Sequence, residues 1–365
     1  MRSLIAHTSA MHWLGKQLFN RDDPAAFFDP LLERLNPLWV RQYIPARVEA
    51  VITETADTRT FVLRPATRWR GFEAGQHVTI GVDVAGVRRH RTFSLSSTPA
   101  HWQRTGIVTL TVKRHPGGLV TNWMHDSLTV GDTLSLGSAF GDFMLPSADE
   151  PALYIAGGSG ITPILSHLET LADRRHAEPV SLLYFVRSQA DIIAAERLYT
   201  LRQRWPAFTL TIVAGDGPAP AHLDDSHLSG IAGLSTRRCY LCGPGGLMTQ
   251  AQTLLKGQGV DDSRIECTFF APQQTVAVDS QGGQVHFSTS DVRIHSTDNT
   301  ALLDLAESAQ LSPRHGCRMG ICHQCSCRKT RGTVINRLTG QVSGPGEETI
   351  QLCISVPRGD VDIAL

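Results

Sequence analysis

Nothing in this 365-residue chain is apolar enough to cross a bilayer: no hydrophobic run approaches the roughly 18 residues that a spanning helix needs. Charge of either sign is not in excess. With 34 Lys and Arg against 34 Asp and Glu, the chain lacks the bulk positive charge that draws in nucleic acid. There is no internal repeat and no low-complexity tract. No Ser/His/Asp triad or paired-carboxylate site stands out. The first 20 residues are faintly amphipathic and basic, but they lack a compact apolar core followed by a small-residue cleavage site. They do not read as a secretory signal. What remains is a globular composition, 41% apolar and 19% charged, long enough for two to three domains.

Eight cysteines are present, and their spacing is the strongest signal in the chain. Cys317, Cys322 and Cys325 read C-x4-C-x2-C, and Cys353 follows after 27 intervening residues. This is the plant-type pattern for a [2Fe–2S] cluster. Gly316 and Gly320 flank the ligands, where a loop must turn its N–H groups towards negatively charged sulfur. A structural zinc site also uses four thiolates, but it favours two C-x2-C pairs, and here the first gap is four. Cys327 lies outside the pattern, and Cys239 and Cys267 read as small buried residues. Four cysteines committed to a cluster suggest a reducing compartment rather than a disulfide framework.

Along the chain, residues 1–42 read as a helical extension interrupted by Pro24, Pro30 and Pro37. It is expected to pack on a neighbouring domain, with contact to a membrane or a membrane-bound partner as the sharper alternative. Residues 43–147 carry evenly spaced β-rich runs at 47–52, 60–63, 77–80 and 108–113, which predict an antiparallel β-barrel. Residues 148–272 alternate short buried strands (152–156, 181–186, 209–213, 238–242) with helices near 161–174, 190–203 and 246–258. That is the pattern of an α/β nucleotide-binding domain with a parallel sheet. Residues 273–283 read as a linker, and 284–365 hold the cysteine cluster.

Three further motifs carry chemistry. Gly157–Pro163, reading Gly-Gly-Ser-Gly-Ile-Thr-Pro, follows a strand and opens a helix. Its glycines let backbone N–H groups approach a diphosphate at a helix N-terminus. Cys242, Gly243 and Pro244 end another strand, so both Gly-rich loops are expected to flank one crevice. In the barrel segment Arg91, Thr92, Phe93 and Ser94 offer a guanidinium fork, a ring face and a hydroxyl. Gly118 and Thr121 suit a phosphate cradle. Arg187, just after a strand, either meets a 2′-phosphate or is a solvated loop charge.

Together these motifs resemble the ferredoxin–NADP reductase superfamily of flavin reductases, joined to a C-terminal domain similar to a plant-type ferredoxin. The resemblance covers residues 43–365 and includes Gly75-Gln76-His77 and Gly141-Asp142-Phe143. It implies a flavin barrel, an α/β nucleotide domain and an α+β β-grasp ferredoxin domain. It implies that Arg91 binds the flavin diphosphate, Phe93 lies against the isoalloxazine and Ser94 sits near flavin N5. Gly118 and Thr121 would hold phosphate. Gly157, Gly158, Gly160 and Thr162 would bind the nicotinamide nucleotide, with Cys242 near the nicotinamide. Two departures stand out: Phe93 replaces the usual Tyr, and Thr268 occupies a position where the family often has Glu.

The implied chemistry converts two-electron donation into single-electron delivery. A nicotinamide gives a hydride, and a plant-type cluster takes one electron at roughly −400 mV. A flavin connects them, and the protein supplies placement. FAD is favoured over FMN, and NADPH over NADH. Gly316–His323 and Asn36–Val40 are similar to bacterial reductases that serve membrane fatty-acid desaturases. The expected acceptor is therefore a membrane fatty-acid or acyl-CoA desaturase. The alternatives are a soluble oxygenase or hydroxylase, or a non-catalytic redox carrier or sensor. The expected location is cytoplasmic, with peripheral contact at the inner membrane through residues 1–42.

Overall fold

The computed structural model describes residues 44–365, except 85, 147–148, 218–221, 271–281, 298, 312, 314–319 and 321–324. The expected helical extension (1–42), nearly all of the linker, and Cys317 and Cys322 lie outside the described residues.

The first domain is built on β1 (Ile44–Thr55), β2 (Thr58–Pro65), β3 (His77–Val84), β4 (Val87–Ser94), β5 (Val108–Lys113) and β6 (Thr133–Phe140). These six strands form one antiparallel sheet in the order β4-β3-β6-β1-β2-β5. Leu95, just past β4, bridges Leu110 of β5 and closes the sheet into a barrel. Alternation explains the closure. Phe61, Leu63, Val78, Ile80, Leu110 and Val112 recur every second residue and are fully or almost fully buried in one core. Helix α1 (Pro99–Thr105) is capped by Thr98, whose hydroxyl accepts from His101 N at 3.0 Å. Helix α2 (Leu119–Ser127) covers the barrel through Val120 and Met124.

The second domain alternates β7 (Ala152–Gly157), α3 (Ile161–Asp173), β8 (Val180–Val186), α4 (Ala195–Arg204), β9 (Phe208–Ala214), α5 (Asp225–Ser229), β10 (Arg238–Cys242), α6 (Gly245–Gly257) and β11 (Ile265–Thr268). All strands run parallel, in the order β11-β10-β7-β8-β9. The chain winds outward one way from β7 through β8 and β9, then returns to β10 on the other side. A crevice therefore opens between the C-terminal ends of β7 and β10, where ligands bind in open sheets. Helix α3 is buried almost all round because it lies between this sheet and the barrel. Buried hydrogen bonds cross that junction. Ser166 Oγ donates to Ser97 O at 2.7 Å, and His167 Nε2 lies 3.1 Å from Phe143 O.

The third domain contains β12 (Gly283–Phe287), β13 (Val292–Ser296), α7 (Leu302–Ser308), β14 (Ser326–Arg331), β15 (Val334–Asn336), β16 (Glu348–Gln351), β17 (Ser355–Pro357) and β18 (Val361–Ile363). A mixed sheet, β13-β12-β18-β14-β16, packs its buried face on α7, with β15 and β17 paired separately. The parallel β12–β18 pair at the centre joins the two ends of the domain.

Candidate functional site

The two Gly-rich loops interlock at the crevice. Cys242 is paired in register with Ala156, so the residues that follow each strand meet. A methyl at Gly160 would collide with the Cys242 carbonyl, and one at Gly157 would lie 2.6 Å from Pro244 Cδ. Gly158 turns through φ +51°, a conformation that disfavours a side chain. Its carbonyl accepts from the Tyr184 hydroxyl at 3.0 Å. The Thr162 hydroxyl is turned inward and donates to Ser159 O at 3.0 Å, so it fixes the loop's shape.

These loops form one wall of a cavity of about 860 Å³. Gly157, Gly158, Ser159, Gly243 and Pro244 line one end, and Arg187, Asp191 and Gly215 line another. The cavity is large enough to take most of a dinucleotide half. Arg187 is exposed, but its Nη2 lies 3.0 Å from both Asp57 Oδ2 and Asp191 Oδ1. Cys242 is fully buried, and burial pushes its thiol well above the ordinary range. The thiol is therefore neutral at pH 7.

On the barrel, strand alternation puts Arg91 and Phe93 on one face of β4 and Thr92 and Ser94 on the other. Arg91 is exposed, with Nη1 donating to His90 O at 2.9 Å. Phe93 is half-buried and packs beside the barrel core. Ser94 is buried, and its hydroxyl has no hydrogen-bond partner among the described residues. His77 stands directly across from Ser94 in the β3–β4 register. Its Nε2 lies 3.1 Å from Thr268 Oγ1, at the end of β11 in the nucleotide domain. Burial pulls the His77 pKa down to about 4, partly offset by the Phe140 backbone, so the ring is neutral at pH 7. The structure thus brings Ser94 to the seam between the two domains. Sequence reasoning singled out Thr268 but gave His77 no role. The only signal was its place in Gly75-Gln76-His77.

Beside this seam, Gly118 caps α2, and the Thr121 hydroxyl accepts from His115 N at 3.2 Å. Asn122 Oδ1 is buried and has no hydrogen-bond partner among the described residues. Buried polar atoms without partners are costly. Those of Ser94 and Asn122 are what a polar cofactor would satisfy, and the residues present fit a flavin.

In the third domain Cys325 and Cys353 are both buried, in the same core cluster. Leu352 N donates to Cys325 O at 3.1 Å, tying the two cysteine segments together. Gln351 Nε2 donates to Gly320 O at 2.8 Å. Buried thiols presented from adjoining segments fit a cluster.

Three family models match the chain: the oxidoreductase FAD-binding domain over residues 45–144, the oxidoreductase NAD-binding domain over 154–253, and the 2Fe-2S iron-sulfur cluster binding domain over 285–358. The chain belongs to the ferredoxin–NADP reductase-type flavin oxidoreductases that carry a 2Fe-2S ferredoxin domain. Its cofactors are FAD and a [2Fe–2S] cluster, and its donor is a pyridine nucleotide. It is 32% identical to an NADPH oxidoreductase of Mycobacterium tuberculosis, over 91% of this chain and 87% of that protein. It is 31% identical to the glycine betaine monooxygenase reductase subunit of Pseudomonas aeruginosa, over 90% of this chain and 98% of that one. In fold it matches phthalate dioxygenase reductase with a TM-score of 0.62 at 21% identity, covering 88% of this chain and 98% of that one.

Proposed function

We propose that this chain is the reductase component of an oxygenase, carrying electrons from a nicotinamide nucleotide through FAD and the [2Fe–2S] cluster to a separate oxygenase protein. One observation carries this reading: a monooxygenase reductase subunit aligns with the chain over 98% of its own length, so the whole three-domain layout is shared. The desaturase acceptor expected from the cluster loop gains no such support, since no relative reported above is named for a desaturase. The membrane contact expected of residues 1–42 gains none either. Those residues lie outside the described ones, and no described helix is long and apolar enough to cross a membrane.

FAD, when bound, accepts a hydride and releases electrons singly. In this reading the protein's residues place it. The Ser94 hydroxyl holds a hydrogen bond at the reacting edge of the ring system, and His77, fixed through Thr268, packs beside it. Arg91, Gly118 and Thr121 hold the cofactor's phosphates. Phe93 lends a ring face without the phenolic hydrogen bond that the usual Tyr would add. Gly157, Gly158 and Gly160 let the nucleotide lie close to backbone N–H groups, and Cys242 gives the nicotinamide an uncharged floor. Cys317, Cys322, Cys325 and Cys353 ligate the cluster.

The test is reconstitution of the holoprotein with the oxygenase component of a glycine betaine monooxygenase, and separately with membranes bearing an acyl-CoA desaturase. Substrate-coupled oxygen consumption is expected with the oxygenase and not with the membranes. The reverse result would favour the desaturase acceptor.

A further inference from the structure

The family assignment leaves the donor open between NADH and NADPH. The difference between them is one 2′-phosphate on the adenosine ribose. In parallel nucleotide-binding sheets, an acidic residue beyond the second strand accepts from a ribose 2′-hydroxyl, whereas an arginine there accommodates a 2′-phosphate. In this chain the first strand of the unit is β7, with the Gly-rich loop at its end, and the second is β8. Both kinds of residue follow β8: Arg187 directly, and Asp191 four residues later. Which of them is available decides the preference.

Arg187 is committed. A single nitrogen, Nη2, lies 3.0 Å from both the Asp57 and the Asp191 carboxylates. Lys113 also lines the cavity, and its Nζ lies 3.0 Å from the same Asp57 oxygen. Burial alone would raise the Asp57 carboxyl. Lys113 and the hydroxyls of Thr55 and Thr58 outweigh it and hold the group below the usual range, so it stays anionic at neutral pH. Asp216, next to Gly215 of the cavity wall, receives the Gln189 backbone N–H at 3.1 Å. Among the described residues, three carboxylates therefore share this rim with Lys113 and Arg187, and both cations are already paired. A 2′-phosphate, carrying close to two negative charges near neutral pH, would add to an acidic surplus. A ribose 2′-hydroxyl would instead donate to a carboxylate.

We propose that this rim selects NADH over NADPH, with Asp191 as the acceptor for the ribose 2′-hydroxyl and Arg187 held away from any 2′-phosphate by Asp57 and Asp191.

The test uses the holoprotein. NAD+ and NADP+ binding is measured by calorimetry, and kcat/KM for NADH and NADPH is measured with ferricyanide as acceptor. NAD+ is expected to bind at least about tenfold more tightly, with a matching ratio in kcat/KM. Asp191→Asn removes one of the two carboxylates that hold Arg187 and the acceptor for the ribose hydroxyl, so it should bring the ratio towards one. Arg187→Ala should keep the preference for NAD+. Equal or tighter binding of NADP+ by the unaltered protein overturns the proposal, and so does an Arg187→Ala variant that loses NADP+ selectively. Binding of neither nucleotide would instead remove the nucleotide-domain assignment on which the inference stands.

Discussion

Ser94 and His77 show how much of the chemistry rests on single side chains. Both are buried, both face the seam between barrel and nucleotide domain, and the Ser94 hydroxyl has no partner among the described residues. If that hydroxyl serves the flavin edge, Ser94→Ala should slow flavin reduction by roughly 10²-fold, the usual effect of removing one preorganised donor. Nucleotide affinity should change little, and stopped-flow reduction would separate the two. Histidine burial gives a second expectation. His77 and His167 both have pKa values pulled down to about 4 by burial, against 6.5 when unfolded. Between those values the unfolded chain binds more protons than the folded one. Stability is therefore full above about pH 6.5 and falls as pH drops towards 4, by on the order of 3 kcal/mol per histidine. Urea midpoints at pH 7 and pH 5 should differ clearly, and equal midpoints would contradict the burial of these rings. A third expectation concerns Gly160, whose missing side chain leaves room for the Cys242 carbonyl. Gly160→Ala should cost about 1–3 kcal/mol through forced backbone displacement and should weaken nucleotide binding, read by thermal melting and titration.

At the scale of elements, a polar contact between Thr268 and His77 connects β11 of the nucleotide sheet to the barrel. Thr268→Val leaves His77 Nε2 buried and unpaired. It should destabilise the protein by about 1–3 kcal/mol, whereas Thr268→Ser should be nearly neutral. Strands such as β7, β8 and β10 were legible in the sequence because they are short, mostly apolar runs, with Gly-rich turns after β7 and β10. Helix α3 was legible because Ile161, Ile164, Leu165, Leu168 and Leu171 recur at helical spacing. The sequence reading placed the next helix near 190–203, but α4 starts at Ala195. Before it, Asp191 binds Arg187 and Ser188, and Ala194 adopts φ 55°, so the chain turns before it coils. Strand β6 went unread because its run of Ser and Gly resembles a loop. It is a strand because β1 and β3 pair with it on both sides. Local pattern reveals an element that buries its own apolar face, but not one whose formation depends on partners far away in the chain.

For the molecule as a whole, the cofactor set was legible because cluster ligands and phosphate-binding glycines obey short-range spacing. The acceptor was not, since recognition of a partner protein lies in surface shape. Nor was the acidic rim around Arg187, since Asp57 joins it from 130 residues away. The cluster itself gives a domain-level expectation. Cys353→Ser should abolish cluster absorbance and transfer to one-electron acceptors, while flavin reduction by nucleotide continues, because the barrel and nucleotide domain hold that step. The most direct measurement is an anaerobic titration of the holoprotein with NADH and NADPH, followed by absorbance and electron paramagnetic resonance. The expected result is bleaching of the flavin and then the signal of a reduced [2Fe–2S] centre. A cluster that stays oxidised beside a fully reduced flavin, under excess of either nucleotide, would contradict electron flow through this chain.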